Sequence, residues 1–218
     1  MKNIFAIYKP KGPTSHDIID ELRKITGVKK IGHAGTLDPL ASGVLVVGIG
    51  RQATKKLAEI VAHEKEYLAE IKLGERSSTD DQEGQKEKVA VEKVPTLEDI
   101  QKVIQEFEGE IKQVPPLYSA VKVHGREAYK LARQGHLPQL KPRRVIIKKI
   151  GILDYRWPYL KLKIVTGPGV YIRSLARDLG EKLGTGGYLA ELERTRVGKF
   201  RKQDALTLKQ FAQQWQTR

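Results

Sequence analysis

The sequence predicts an α+β fold built on a mixed or antiparallel sheet. Strand-like and helix-like segments interleave along the 218 residues. Some neighbouring strand candidates are joined by short turns, as hairpins are, which an all-parallel sheet does not allow. No repeat, coiled coil or low-complexity tract points elsewhere. At 39% hydrophobic residues the chain can bury a sizeable core, and no clear domain boundary is visible.

The elements follow in order. IFAIYKP at 4–10 reads as a short strand stopped by Pro10 and Gly12. Thr14 or Ser15 can cap a helix with Ile18, Ile19, Leu22 and Ile25 on one face and Gly27 past its end. A glycine-rich loop, GHAGTLDPLASG, precedes the apolar run Val44–Ile49, short enough to be a buried strand. A helix is expected over about 51–62, apolar at Leu57, Ile60 and Val61. EYLAEIKLG at 66–74 alternates, with Tyr67, Ala69, Ile71 and Leu73 on one face and Glu70 and Lys72 on the other. The polar stretch ERSSTDDQEGQKEK reads as an exposed hairpin loop.

Thr96 can cap a helix over LEDIQKVIQEFEG, ended by Gly109. Pro115 and Pro116 break the next segment, and a basic, tyrosine-bearing helix REAYKLARQG ends at Gly135. Strands at 144–153 and 159–166 pair around YRWP. GPG then turns the chain into a helix of about 171–183, closed by Gly184, and a last helix begins near Leu206.

Composition narrows the function. No apolar stretch approaches the roughly 20 residues that cross a bilayer, so no membrane partner is expected. MKNIFAIYKPKG lacks the long apolar core and cleavage site of a signal peptide. The chain has no Cys, which excludes disulfides, thiolate metal sites and a Cys nucleophile and fits a cytoplasmic protein. The 40 Lys and Arg outnumber the 26 Asp and Glu, for a net charge of +14. A field of that sign favours a polyanion, nucleic acid before membrane. Residues 61–110 hold 7 basic and 14 acidic residues, whereas 141–218 hold 18 basic and 6 acidic. That segregation suggests one face built for phosphate contact.

Two motifs compete for attention. VLVVGIGRQA at 44–53 is a strand, G-x-G-x-x-A and a helix, the pattern of a dinucleotide site. That fingerprint needs an acid ending the next strand about 20 residues on. Here the strand at 66–74 ends in Leu73-Gly74, so a plain strand-to-helix turn through Gly48 and Gly50 is the better reading. In GHAGTLDPLASGVL, by contrast, Gly32, Gly35 and Gly43 permit tight backbone and Pro39 pushes Asp38 toward an extended conformation. A stiff loop ahead of a buried strand can project Asp38 into a cleft, although a turn Asp before Pro is common.

GHAGTLDPLASGVL resembles the signature loop of the TruB family of bacterial tRNA pseudouridine synthases, which modify uridine 55 of tRNA. KPKGPTSHD at 9–17 is similar to the family's N-terminal segment. GRQATK at 50–55, KEYLAEIKLG at 65–74 and T-x-D-x-x-G at 79–84 follow in family order. PPLYSAVKVHGREAYKLARQG at 115–135 resembles the family's RNA-gripping thumb, and GVYIRSLARDLGEKLG and LERTRVGKF complete the pattern. Several motifs in fixed order over nearly the whole chain are far more specific than any one.

The resemblance implies a pseudouridine synthase fold: a central mixed, largely antiparallel sheet flanked by helices, with a thumb insertion at 113–142. It implies an isomerase acting on the T arm of tRNA as a monomer, with no cofactor and no metal. Asp38 is then the catalytic carboxylate, Arg173 the arginine that pairs with it, and Tyr67 the tyrosine that stacks on the target base. Tyr171 and Leu192 fall on pocket-lining positions. His33 falls on the RNA-binding surface and takes the place left by the flipped uridine. Lys9 and Lys55 correspond to lysines near the cleft.

Read singly, Tyr67, Tyr171 and Leu192 could be core residues, and Arg173, Lys9 and Lys55 ordinary surface cations. Two departures stand out: Glu193 occupies a position where members usually carry arginine, and Ser77 replaces a more usual threonine. Many members continue into a C-terminal PUA-type RNA-binding domain. This chain stops at Arg218. One catalytic domain over 1–218 with the PUA domain absent is therefore expected.

Overall fold

The computed structural model describes residues 3–217. Its strands are β1 (Ile4–Lys9), β2 (Ile31–His33), β3 (Ala41–Ile49), β4 (Lys65–Leu73), β5 (Glu75–Ser77), β6 (Lys86–Lys88) and β7 (Gly109–Gln113). There follow β8 (Lys122–Val123), β9 (Arg126–Glu127), β10 (Arg143–Arg156), β11 (Tyr159–Thr166), β12 (Gly187–Val197) and β13 (Phe200–Arg201). The α-helices are α1 (Ser15–Thr26), α2 (Arg51–Val61), α3 (Leu97–Gln105), α4 (Ala128–Arg133), α5 (Ile172–Lys182) and α6 (Leu208–Gln216). The main sheet runs β1-β3-β12-β4-β11-β10-β7, with β2 on β3 and β13 on β12. The α+β expectation holds. Contacts group the chain into two units, Met1–Leu68 with Leu192–Arg218, and Ala69–Glu191.

In the first unit β1 and β3 pair antiparallel, from Ile4 opposite Gly48 to Lys9 opposite Gly43. Side chains alternate between the faces of a strand, and here both faces are covered. Ile7, Leu45, Val47 and Ile49 pack with Ile18, Ile19 and Leu22 of α1 and Phe211 of α6. Ile4, Ala6, Val44 and Val46 pack with Ala53, Leu57 and Ile60 of α2. Burial on both faces is why Val44–Ile49 reads as an unbroken apolar run. Thr14 caps α1 in a reciprocal pair with Asp17, and Gly27, in the left-handed region at φ +69°, ends it.

The G-x-G-x-x-A stretch has a packing explanation. A Cβ on Gly48 would lie 3.0 Å from the backbone of Ala53, so glycine lets α2 settle closely on β3. β3 is antiparallel to both β1 and β2. Its parallel neighbour is β12, not the strand that follows α2, so no dinucleotide-type βαβ unit forms.

In the second unit β10 is antiparallel to β11 and to β7. Ile71 and Leu73 of β4 and Leu160, Leu162 and Ile164 of β11 are buried, as are Ile100, Ile104, Leu175 and Leu179 of α3 and α5. Thr96 caps α3 through Asp99 as expected.

Three expectations are corrected here. α3 ends at Gln105, short of Gly109, which instead opens β7 with φ +95°. The basic helix expected over 126–135, α4, has only six residues, because Arg126–Glu127 pairs as β9. The polar stretch after β4 is a hairpin, β5 with β6, yet it is not simply exposed: Asp81 at its turn is 2% exposed. β12, eleven residues long, occupies a stretch to which the sequence pattern assigned no element.

Candidate active site

Asp38 lies in the first unit, in the loop between β2 and β3, and is half-buried. Its carbonyl accepts from the Ala41 N–H at 3.0 Å, closing a four-residue turn. Asp and Pro are favoured at the first two positions of such a turn. The flanking residues are held in turn. Ser15 Oγ donates to Leu37 O at 2.9 Å and accepts from Leu37 N at 2.8 Å. Gly12 N donates to Pro39 O at 2.8 Å. The N-terminal segment 9–17 is therefore the wall against which the aspartate loop rests.

Three buried cations surround this loop. Lys9 is fully buried, and its Nζ donates to the carbonyls of Pro10, Pro13 and Pro39 at 2.9, 2.7 and 3.4 Å. Burial pulls its pKa down to about 8, against an upward pull from the Asp38 carboxylate and a further downward push from Arg194. Lys65 on β4 donates to Val61 O and His63 O at 2.7 and 2.8 Å, satisfying carbonyls at the end of α2. It too is brought to about 8, by burial first and Arg194 second. Arg194 on β12 is 1% exposed and donates to Val44 O, Gly35 O and Thr36 O at 2.8, 2.9 and 3.4 Å.

His33 ends β2, with its Nδ1 buried and given no hydrogen-bond partner. Burial, then the charges of Arg194 and His16, lower its pKa below the usual imidazole value. Leu192 is buried and lies opposite Ala41 in the parallel pairing of β12 with β3. Tyr67 is buried on the face of β4 that also carries Lys65, as the alternation required. Lys55 is exposed on α2, away from the helix face that buries Ala53, Leu57 and Ile60. Glu193 receives the Tyr8 hydroxyl at 3.0 Å and the Lys202 ammonium at 2.7 Å, so its unusual charge is neutralised locally.

In the second unit Arg173 sits in the first turn of α5 and is 6% exposed. Its guanidinium donates to Tyr118 O at 2.9 Å, Asp81 Oδ2 at 3.4 Å and Thr79 O at 3.5 Å. Asp81 also accepts from the Thr79 hydroxyl and from Glu83 N. One helical turn on, Arg177 donates to Asp80 Oδ2 at 2.8 Å. Asp80 keeps a raised pKa because burial outweighs the two arginines. The Tyr171 backbone is clamped by the Gln113 side-chain amide, N to Oε1 at 2.9 Å and O from Nε2 at 3.1 Å. Ser174 Oγ donates to Val114 O at 2.8 Å. Gln113 and Val114 are thus pinned to the start of α5.

The structure gathers Asp38, Lys9 and His33 around Arg194 in one unit, with Leu192 on the same strand. In the other unit it gathers Arg173 with Asp81, and Tyr171 with Gln113. Sequence reasoning missed Arg194, Lys65 and Asp81. Asp81 was visible as the D of T-x-D-x-x-G, whereas Arg194, two residues after Leu192 on the buried face of β12, carries no apolar signal that marks it as core. Among the described residues no group of three or more His, Cys, Asp or Glu side chains is placed to hold a metal ion.

The same architecture recurs in solved structures. A chain in the crystal structure of a Cbf5-Nop10-Gar1 complex is 33% identical with a TM-score of 0.75, over 96% of this chain and 53% of that one. A chain in an H/ACA RNP bound to a substrate RNA containing 2′-deoxyuridine is 29% identical with a TM-score of 0.71, over 96% and 52%. This chain therefore spans about half the length of those solved chains. The fold is that of a pseudouridine synthase.

Residues 23–172 match the model of the TruB family pseudouridylate synthase (N terminal domain), and 173–218 that of the tRNA pseudouridylate synthase B C-terminal domain. The tRNA pseudouridine synthase B of Protochlamydia amoebophila is 46% identical over 92% of this chain and 76% of its own length. That of Mycobacterium tuberculosis is 46% identical over 96% and 72%. The chain belongs to the TruB family.

Proposed function

We propose that this chain is a tRNA pseudouridine synthase that isomerises uridine 55, with Asp38 as its catalytic carboxylate. The observation that carries the assignment of Asp38 is the bracing of its loop: the residues on either side of it are anchored, and the Lys9 ammonium is held close enough to feel its charge. A carboxylate presented on a rigid turn reaches a reacting atom without first paying an ordering cost.

In the reaction the C1′–N1 bond breaks, a C1′–C5 bond forms, N1 gains a proton and C5 loses one. Nothing is oxidised or reduced, so side chains suffice. Addition of Asp38 to C6, its attack on C1′, and its removal of the C2′ proton all need an ionised carboxylate that can later leave or give the proton back. Arg173 keeps the active-site role that family resemblance gives it. Tyr67, Tyr171 and Leu192 keep the base-binding roles that the resemblance gives them, and His33 fills the space vacated by the flipped uridine. Lys9 steadies the loop, while exposed Lys55 contacts phosphate. The substrate element is the T arm, gripped by the thumb at 113–142. One chain acts on one tRNA, in the cytoplasm where tRNA matures.

Asp38→Asn preserves shape and removes the charge. It should reduce tritium release from 5-tritiated uridine in tRNA to background, with tRNA affinity within about threefold of the parent, as expected when only a reacting group is lost. Normal release by D38N would overturn the assignment.

A further inference from the structure

We infer that Arg194 is a positioning residue for the reaction: its guanidinium sets the backbone of the Asp38 loop. This rests on the function proposed above. The geometry begins with a gap in the sheet. One edge of β3 is covered at Val47–Ile49 by β2 and at Ala41–Gly43 by β12. Between those two partners the carbonyls of Val44 and Val46 face an interior without a third strand, and an unpaired buried carbonyl is costly. Ala34 N satisfies Val46 O at 2.8 Å, and Arg194 Nε satisfies Val44 O at 2.8 Å. A side chain thus completes a ladder that backbone leaves open.

The rest of the guanidinium reaches the loop itself, through Gly35 O at 2.9 Å and Thr36 O at 3.4 Å. Those carbonyls lie three and two residues before Asp38, while Val44 lies six after it. One planar group therefore ties both arms of the loop to each other, and Ser15, Gly12 and Lys9 hold its tip. Only arginine offers a flat fork of donors able to meet carbonyls on two segments at once; a lysine ammonium is a point donor. The site also admits little else. Gly43 stands at φ +112°, with the Arg194 backbone within 2.2 Å of where a Cβ would be. The charge of Arg194 is felt by Lys9, Lys65 and His33, which places it at the electrostatic centre of the loop.

The test uses the full chain with Arg194→Lys and Arg194→Met, beside the parent and D38N. Folding is checked by thermal melting, tRNA affinity by filter binding, and chemistry by single-turnover tritium release. Both variants should bind tRNA within about threefold of the parent but react about a hundredfold more slowly, the order expected when a catalytic group is misplaced by about 1 Å. R194K, with charge kept and the fork lost, should recover less than a tenth of the missing rate. A folded R194K that turns over normally overturns the inference. So does a loss of rate matched by an equal loss of tRNA binding, which would mark a general structural role.

Should neither variant fold, amide hydrogen exchange on the unaltered protein decides. Residues 34–41 should exchange as slowly as β3, and exchange within seconds would overturn the brace. Loss of turnover in D38N with normal turnover in R194K would sink this inference alone. Turnover by D38N would sink the function instead.

Discussion

Lys9 and Lys65 hold positive charge where water is scarce, and each meets the cost with backbone carbonyls rather than with a carboxylate in direct contact. Both sit at about pKa 8 against an ordinary 10.5, chiefly through burial. Between those values the unfolded chain binds more protons than the folded one. Stability due to these groups therefore rises with pH from about 8 to 10.5, and their burial penalty is fully felt below 8. Tyr155 and Tyr188, whose phenols are raised by burial, act in the opposite sense near the top of that window. A difference measurement isolates one lysine. The unfolding free energy of the parent minus that of Lys65→Met, from urea titrations, should climb steadily as pH goes from 8 to 10. A flat difference would show that Lys65 is not a charge-penalised group. Lys9 was legible as a motif residue, but its burial was not, because a lysine followed by a proline reads as surface. The same blindness hid Arg194, since a core arginine has no apolar signature.

Most elements followed from their punctuation. Thr14, Thr96 and Gly27 mark helix ends by capping chemistry that sequence displays directly, and the faces of β4 followed from alternation. β12 did not. Its residues Leu189-Ala-Glu-Leu-Glu-Arg favour helix by propensity, and buried Arg194 breaks the apolar half of the alternation. Tertiary pairing wins there: Leu192–Arg194 lie parallel to Ala41–Gly43, a contact about 150 residues apart in sequence that no local window sees. That pairing depends on Gly43. Gly43→Ala would place a methyl 2.2 Å from Arg194 O at a φ of +112°, where L side chains are strained. The strand cannot shift without breaking the Arg194 fork, so the loss should exceed about 3 kcal/mol, or leave the chain insoluble. Urea unfolding of G43A within about 0.5 kcal/mol of the parent, the size of a mild surface change, would contradict this account of β12.

The net charge of +14 is not uniformly available to a ligand. The acid-rich stretch 61–110 and the base-rich stretch 141–218 suggested segregated faces, yet the fold brings the two together. Asp80 meets Arg177, Asp81 meets Arg173, Glu106 meets Lys182 and Glu110 meets Arg144. Part of the segregation in sequence is therefore internal pairing within the second unit. What survives is a surplus in both units: 18 basic against 9 acidic residues in the first, and 22 against 17 in the second. The first unit, which carries the Asp38 loop, is thus the more strongly positive, at +9 against +5. Binding driven by such a surplus releases counterions, so affinity must fall steeply with salt. If about four phosphates are neutralised, the tRNA dissociation constant should rise about a hundredfold between 50 and 200 mM salt, by the counterion-release slope. Because the same surface acts in D38N, that variant should show a parallel line. Parent and D38N affinities that change by less than about threefold over that range, the response of at most one phosphate contact, would mean that the surplus charge serves something other than holding RNA.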